Sequence, residues 1–385
     1  MRDTLRRGST GRHGTTALRF GAPSVAEVMA ARGATSGFDY LRLFLSVAVV
    51  GIHAVRVTRG PDALASAPEW VWVFINAILV MFFALSGFLV AGSLARIRRL
   101  VPFLAARALR IFPALTVEVF LSALILGPLL TTLSLGAYAS DPLFWRYLAN
   151  ALGIISFELP GVFDGNPAPE VNGSLWTVPY ELECYILLAL LAAATVVRRP
   201  AVLLGGVALY GAYLGLSTVV DVDLAPTFQA TMRAPEEVGV ALSYILVPSF
   251  VAGVTVHALR EHLPINAALG AAAGLLALLM LGSPLLYGLA VLPAAYATAA
   301  LGLANPPRDR VVASGDYSYG IYLYAYPVQQ AVWLLAPGGQ TILGNLAMSL
   351  VIVSLFAAFS WHAIEKPTLR LKRYFGQAPK RGAGA

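Results

Sequence analysis

The sequence predicts an all-α polytopic membrane protein of about ten transmembrane helices plus one short re-entrant or interfacial segment. Three observations carry this. The 385 residues are 58% hydrophobic and 12% charged, roughly half the charge of a soluble domain. Mean hydropathy is +0.72. Apolar stretches of about twenty residues, long enough to cross a bilayer as helices, recur along most of the chain. The net charge of +7 is better explained by membrane topology than by nucleic-acid binding, and no nucleic-acid partner is expected. No long internal period is apparent, so a repeat architecture is not indicated.

Residues 1–35 are polar and contain Arg and Gly. They are expected to form a disordered cytoplasmic tail, with neither the apolar core nor the cleavage site of a signal peptide. The candidate spans are 38–57, 70–93, 104–130, 174–197, 201–220, 238–258, 265–282, 284–304, 315–335 and 342–363. Together they make one membrane domain over 36–365. Residues 366–385 read as a second, basic cytoplasmic tail. The single cysteine, Cys184, excludes an internal disulfide and a cysteine-rich metal site. It falls in an apolar helix as a small hydrophobe, and no metal is expected.

The stretch 143–157 is apolar but short, and it carries Arg146 and Asn150. The distribution of basic residues decides whether it crosses. If it does not, the cytoplasm holds both tails, Arg96, Arg98, Arg99, Arg198, Arg199, Arg260, Arg308 and Arg310. Only Arg56, Arg59, Arg146 and Arg233 then face outward. If it crosses, Arg198 and Arg199 move outside and the later loops invert. The first arrangement is therefore adopted, with both termini cytoplasmic. The region 131–173, rich in Pro, Gly and Asn, becomes the largest external feature and suits a loop over a site.

Within the first span, His53 follows Arg42 by eleven residues. The two lie on nearly one helix face, about 16 Å apart. An ionisable group at that depth is a functional candidate; the alternative is a histidine tied to a neighbouring helix or wetted near the outer surface. In the second span, Ser86-Gly87 reads as a close helix approach or a ligand contact by Ser86. No Gly-x-Ser-x-Gly elbow is present. The third span opens with Arg107 and Arg110, three apart on one face. Two guanidinium forks there could clamp phosphate or snorkel to lipid headgroups.

The fourth span carries Glu181 and Glu183. Two residues apart, they point roughly 200° from each other, so only one can line a given cavity. Pro179 loosens the first turns. Trp176 and Tyr180 could form an interfacial belt or a sugar-stacking surface. The ninth span holds Tyr317, Tyr319, Tyr322, Tyr324 and Tyr326, more than a belt needs, and is expected to place hydroxyls along an intramembrane cavity. His362 and Glu365 at the end of the tenth span read as structural.

Taken together, these blocks resemble the membrane acyltransferase-3 family, which includes bacterial O-antigen, peptidoglycan and exopolysaccharide O-acetyltransferases. The resembling pieces are Phe38-Asp39-Tyr40-Leu41-Arg42 through His53, Ser86-Gly87-Phe88, Arg107 through Pro113, Asn172 through Glu181, Ser318 through Leu323, and Ile364-Glu365-Lys366-Pro367. They occur in family order over roughly residues 38–370. The resemblance implies a ten-helix acyltransferase domain in the bacterial inner membrane. It also implies a cytoplasmic acyl-coenzyme A donor and an extracytoplasmic sugar acceptor. By position, His53 resembles the essential first-span histidine, Arg107 and Arg110 the arginine pair, and Glu181 the fourth-span glutamate. One departure stands out. Many members carry a histidine shortly after the Tyr-Leu of the ninth span, where this chain reads Tyr324-Ala325-Tyr326; tyrosines are candidate substitutes as hydrogen-bond donors.

The expected mechanism places the phosphates of acetyl-coenzyme A on Arg107 and Arg110, with Arg42 behind them and Ser86 beside the donor. His53 acts as general base on a glycan hydroxyl, aided by a carboxylate such as Glu181 or Asp39, or is itself transiently acetylated. Asn172, Trp176, Tyr180, Tyr322 and Tyr326 are the candidate acceptor contacts. Other acceptors, such as a lipid or a macrolide-like compound, remain open, as does a longer acyl group. Membrane lipid is an expected partner. The oligomeric state is open, a homodimer among the options. The main non-enzymatic alternative is a secondary transporter with a broken span near Pro179 and buried charges; no inverted repeat in the hydropathy supports it.

Overall fold

The computed structural model describes residues 21–33, 35–220 and 238–376. The disorder expected of residues 1–20, the outward placement of Arg233 and the end of the basic tail lie outside the described residues. Among the described residues there are ten long helices: α1 Gly37–Arg59, α2 Glu69–Ile97, α3 Leu100–Leu121, α4 Val178–Ala193, α5 Pro200–Val220, α6 Val238–Ala258, α7 Ala267–Leu281, α8 Val291–Leu303, α9 Ser318–Leu335 and α10 Ile342–Phe359. Each falls on one of the ten predicted spans, because a long apolar run has only helix open to it in lipid. Six helical segments are long and apolar enough to cross a membrane, and Tyr244–Ala258, Ala267–Leu281 and Tyr287–Leu303 are shorter apolar helices. The protein is an all-α polytopic membrane protein.

The stretch 143–157 does not form a span. Pro142–Leu148 is one short helix capped by the Asp141 carboxylate, and Ala149–Leu152 is a 3-10 turn. Asn150 then ties the reversal, donating to the Ser156 carbonyl at 2.8 Å and accepting from its amide. Tyr147 anchors the hairpin with a fully buried ring.

The described part of the expected N-terminal tail is corrected by the structure, and the described part of the C-terminal basic tail is helical. Val25–Arg32 is helical, with a capping box between Ser24 and Glu27. Its first amides donate to the Leu263 and Arg260 carbonyls at 2.9 and 2.8 Å, and Val25 is fully buried. Val25, Val28 and Met29 and a cap hold this helix, a signal too short for hydropathy to register. At the other end the chain continues beyond α10 through a π-turn, Ser360–Glu365, into the short helices Lys366–Leu369 and Lys372–Gly376. These pack against α3.

Helices α2 and α6 approach so closely that side chains are excluded at two points. A Cβ at Gly87 would lie 2.0 Å from the Phe250 carbonyl oxygen, and one at Gly253 would lie 2.0 Å from that of Ala84. The Ser86-Gly87 pair is thus a packing device at Gly87, as small residues are in membrane helix pairs, while Ser86 points elsewhere. Helix α9 packs against α1 and α10 and also meets α3 and the 3-10 turn Gly173–Thr177 that precedes α4. The central position of α9 makes it one wall of everything described next.

Candidate active site

Helices α1, α2, α3, α4 and α9 enclose a cavity of about 130 Å³. Arg42, Ser86, Arg107, Arg110, Glu181 and Tyr322 line it, together with apolar walls from Val49, Phe82 and Leu89. Six of the candidate residues, read from five separate spans, therefore converge on one chamber.

At one end the charges form a chain. Arg308 donates to Asp39 at 3.1 Å, and Arg42 reaches Asp39 at 2.6 Å and Asp316 at 3.3 Å. Arg110 donates to Asp316 at 2.9 Å and to Glu365 at 2.5 Å. Glu365, only 2% exposed, also accepts from the Ser360 hydroxyl at 2.9 Å. These pairs stitch α1, α3, the start of α9 and the end of α10 together. They correct the expectation that Arg110, with Arg42 behind it, stands free for phosphate. The outer nitrogens of both forks are engaged by carboxylates, because a guanidinium at this depth requires a counter-ion.

Arg107 differs. Among the described residues no carboxylate lies within ion-pair distance of it. Its Nη2 makes a long contact, 3.4 Å, to the Ser93 hydroxyl. The guanidinium sits 5.9 Å from the Tyr185 ring centroid, and its Nε is buried with no hydrogen-bond partner among the described residues.

Of the two α4 glutamates, Glu181 faces the cavity and accepts from the Tyr185 hydroxyl. Glu183 is exposed on the other side of the helix, as their two-residue spacing requires. On α9, Tyr319 donates to the Ile111 carbonyl at 3.0 Å and its ring lies under Arg110. Tyr322 donates to the Ser174 carbonyl at 2.7 Å, so Thr177, 2.6 Å away, is the donor to Tyr322. Tyr319 and Tyr322 line the cavity; Tyr324 instead stacks on Phe356.

Val49 and Tyr322 lead from the cavity toward His53. One helical turn beyond them stand His53 and Tyr326, whose rings meet edge to face with centroids 5.1 Å apart. The Tyr326 hydroxyl donates to Glu170 at 3.2 Å, and Arg56 donates to the same carboxylate. The loop bearing Glu170 is strapped to α9. Gln330 donates to the carbonyls of Ala168 at 2.5 Å and Glu170 at 2.7 Å, and Asn166 donates to the Gln330 side chain at 2.7 Å.

Asp39 does not serve His53. Fourteen residues of helix separate them, about 21 Å along the axis, and Asp39 is spent on Arg42 and Arg308. The acid in the neighbourhood of His53 is Glu170, from the long loop, which the sequence alone did not single out. Among the described residues, Nδ1 of His53 is buried without a hydrogen-bond partner.

The acceptor candidates divide. Asn172 is fully buried. Its amide donates to Glu118 at 2.8 Å and to the Leu323 carbonyl at 3.0 Å, and its oxygen accepts from the Ser174 hydroxyl at 2.6 Å. It pins the Gly173–Thr177 turn and has no proton left for a ligand. Tyr326 is likewise fully buried. Trp176 and Tyr180 pair with each other, centroids 6.0 Å apart. Tyr180 lines a separate apolar groove with Glu183, Tyr210 and Tyr244, and neither ring lines the cavity. Only Tyr322 of the five does. Glu118 was passed over, although a carboxylate inside the apolar run 104–130 is the same kind of signal that marked His53.

A largely apolar cavity with charged residues gathered at one end, inside a bundle of membrane-length helices, marks an integral membrane protein with a candidate internal site. Residues 35–363 match the acyltransferase domain family Acyl_transf_3, and the chain belongs to that family. It is therefore a membrane acyltransferase. It is 28% identical over 366 residues to Nodulation protein 10 of Rhizobium leguminosarum bv. viciae, covering 88% of this chain and 95% of that protein. It is 25% identical over 351 residues to an O-acetyl transferase of Shigella phage Sf6, covering 86% of this chain and 94% of that one. No solved structure matches.

Proposed function

We propose that this protein moves an acyl group, acetyl in the first instance, from cytoplasmic acyl-coenzyme A to a hydroxyl of an extracytoplasmic glycan or glycolipid, in a bacterial inner membrane with both termini cytoplasmic. The observation that carries the reading is the cavity itself. It joins the Arg107 end of the bundle to within one helical turn of His53. An acyl group handed along it would pass from one side of the bundle toward the other.

The division of labour follows from size and charge. A chamber of about 130 Å³ is well below the roughly 300 Å³ at which ordinary ligand pockets begin. The nucleotide of the donor therefore stays at the mouth, its phosphates on Arg107, and only the thioester arm enters between Ser86 and Tyr322. At the far end His53 removes the proton from the acceptor hydroxyl. The hydroxyl oxygen bonds to the thioester carbonyl carbon, the carbon–sulfur bond breaks, and the departing thiolate takes up the proton from His53. Tyr326 holds the imidazole by its ring. Glu170 and Arg56, paired behind it, fix the loop over which the acceptor approaches.

The test is free-thiol release from acetyl-coenzyme A by the purified protein with a panel of glycan acceptors. Acceptor-dependent release that His53→Ala abolishes supports the proposal. Absence of release with every acceptor, together with no coenzyme A binding, would overturn it in favour of a transporter.

A further inference from the structure

Two of the cations near the Arg42 end, both on elements packed at α3, have no carboxylate of their own among the described residues. Asp39, Asp316 and Glu365 are shared among Arg308, Arg42 and Arg110. Arg107 has no carboxylate within ion-pair distance, and neither has Lys372, among the described residues. Lys372 is not on a loose tail. It opens the short helix Lys372–Gly376, which packs against α3, the helix that carries Arg107 and Arg110. Its ammonium is half-buried and stands in the field of both guanidinium groups. Glu181, the remaining acid near Arg107, accepts from Tyr185 and is not within ion-pair distance of Arg107.

Like charges brought together by a fold cost energy unless an anion completes them. Here the fold spends a returning C-terminal segment on adding a third cation to a pair of arginines. One of that pair, Arg107, keeps a buried, unpartnered Nε beside the cavity. The geometry points to Lys372 as a second phosphate-binding group at the cavity mouth, acting with Arg107 on a ligand that carries several phosphates. Residues 366–376 are then a wall of the donor site. The inference rests on the reading of coenzyme A as donor and assigns its phosphates to these two residues. An ammonium beside a guanidinium suits this chemistry: Arg107 offers a planar fork, and Lys372 a point charge that can follow a flexible pyrophosphate.

The experiment measures coenzyme A affinity of the full-length protein in detergent, for wild type, Lys372→Ala, Lys372→Glu, Lys372→Arg and Arg107→Ala. Loss of one charge-assisted contact predicts about tenfold weaker binding in Lys372→Ala. Charge reversal should weaken it further, and Lys372→Arg should retain most of the affinity, which also shows that the segment still folds. The same ranking is expected with adenosine 3′,5′-bisphosphate as probe, since it bears phosphates without the pantetheine arm. Wild-type affinity in Lys372→Glu, with Arg107→Ala impaired, overturns the role of Lys372 and leaves the donor reading standing. No coenzyme A binding by wild type overturns both.

Discussion

The rings of His53 and Tyr326 meet edge to face at 5.1 Å, with their planes 70° apart. This contact joins the first span to the ninth, and through the Tyr326 hydroxyl it extends to Glu170 and Arg56. A histidine held by a ring edge keeps its orientation while leaving a nitrogen for chemistry. His53→Ala should therefore lower acyl transfer by at least about a hundredfold, the usual reach of a general base. Coenzyme A affinity and the thermal midpoint should stay near wild type. Turnover at the wild-type level in this variant would remove His53 from the reaction.

Glu170 joins Arg56 to Tyr326 and is only partly exposed. Glu170→Gln keeps the shape and removes the charge. The expected outcome is a reduced rate with a raised acceptor KM, because the loop from Asn166 to Asn172 loses its tie to α1. Donor affinity, set at the opposite end of the cavity, should not move. An equal loss of donor affinity would show that the loop acts on the whole bundle.

Arg110 and Arg107 share one helix face but should fail differently. Removing Arg110 strands Glu365, which is 2% exposed, and breaking a buried pair from one side costs about 3–5 kcal/mol. Arg110→Ala is expected to unfold at lower temperature in detergent, with the Arg110→Met/Glu365→Leu double variant recovering much of the loss. Arg107→Ala should unfold near the wild-type temperature and lose donor affinity. Equal destabilisation by both would return Arg107 to a packing role.

The ten helices were legible because a membrane span advertises itself locally, in about twenty consecutive residues. The six cavity residues were legible for a related reason: Arg42, Arg107, Arg110 and Glu181 are charges where lipid forbids them, and Ser86 and Tyr322 were marked on two other spans by a Ser-Gly pair and a run of tyrosines. What could not be read was pairing. Nothing near Arg110 in sequence says that Asp316 and Glu365, more than two hundred residues on, will occupy its fork. Nothing near Asn172 says that Glu118 will take its amide. Glu170 was invisible because a carboxylate in a polar loop is unremarkable until the loop folds back onto Tyr326. The direction of Tyr180 was lost for want of knowing which face of α4 meets α3 and which meets α6.

The α2–α6 contact supplies a test of packing independent of any chemistry. A methyl group at Gly87 would sit 2.0 Å from the Phe250 carbonyl oxygen, and a methyl at Gly253 equally close to that of Ala84. Both obstacles are helix backbone and cannot swing aside, so the helices must separate. Gly87→Ala and Gly253→Ala should each destabilise by about 1–3 kcal/mol, the usual cost of overpacking. Gly51 on α1 is the control, since a Cβ there meets nothing within 4 Å. Gly51→Ala should be neutral or stabilise by roughly 0.5–1 kcal/mol, the helical preference for alanine. Thermal unfolding of the three variants in detergent decides the matter. If Gly87→Ala unfolds with Gly51→Ala, helices α2 and α6 do not pack as described. If it falls well below, the neighbouring Ser86 owes its place in the cavity wall to that close approach.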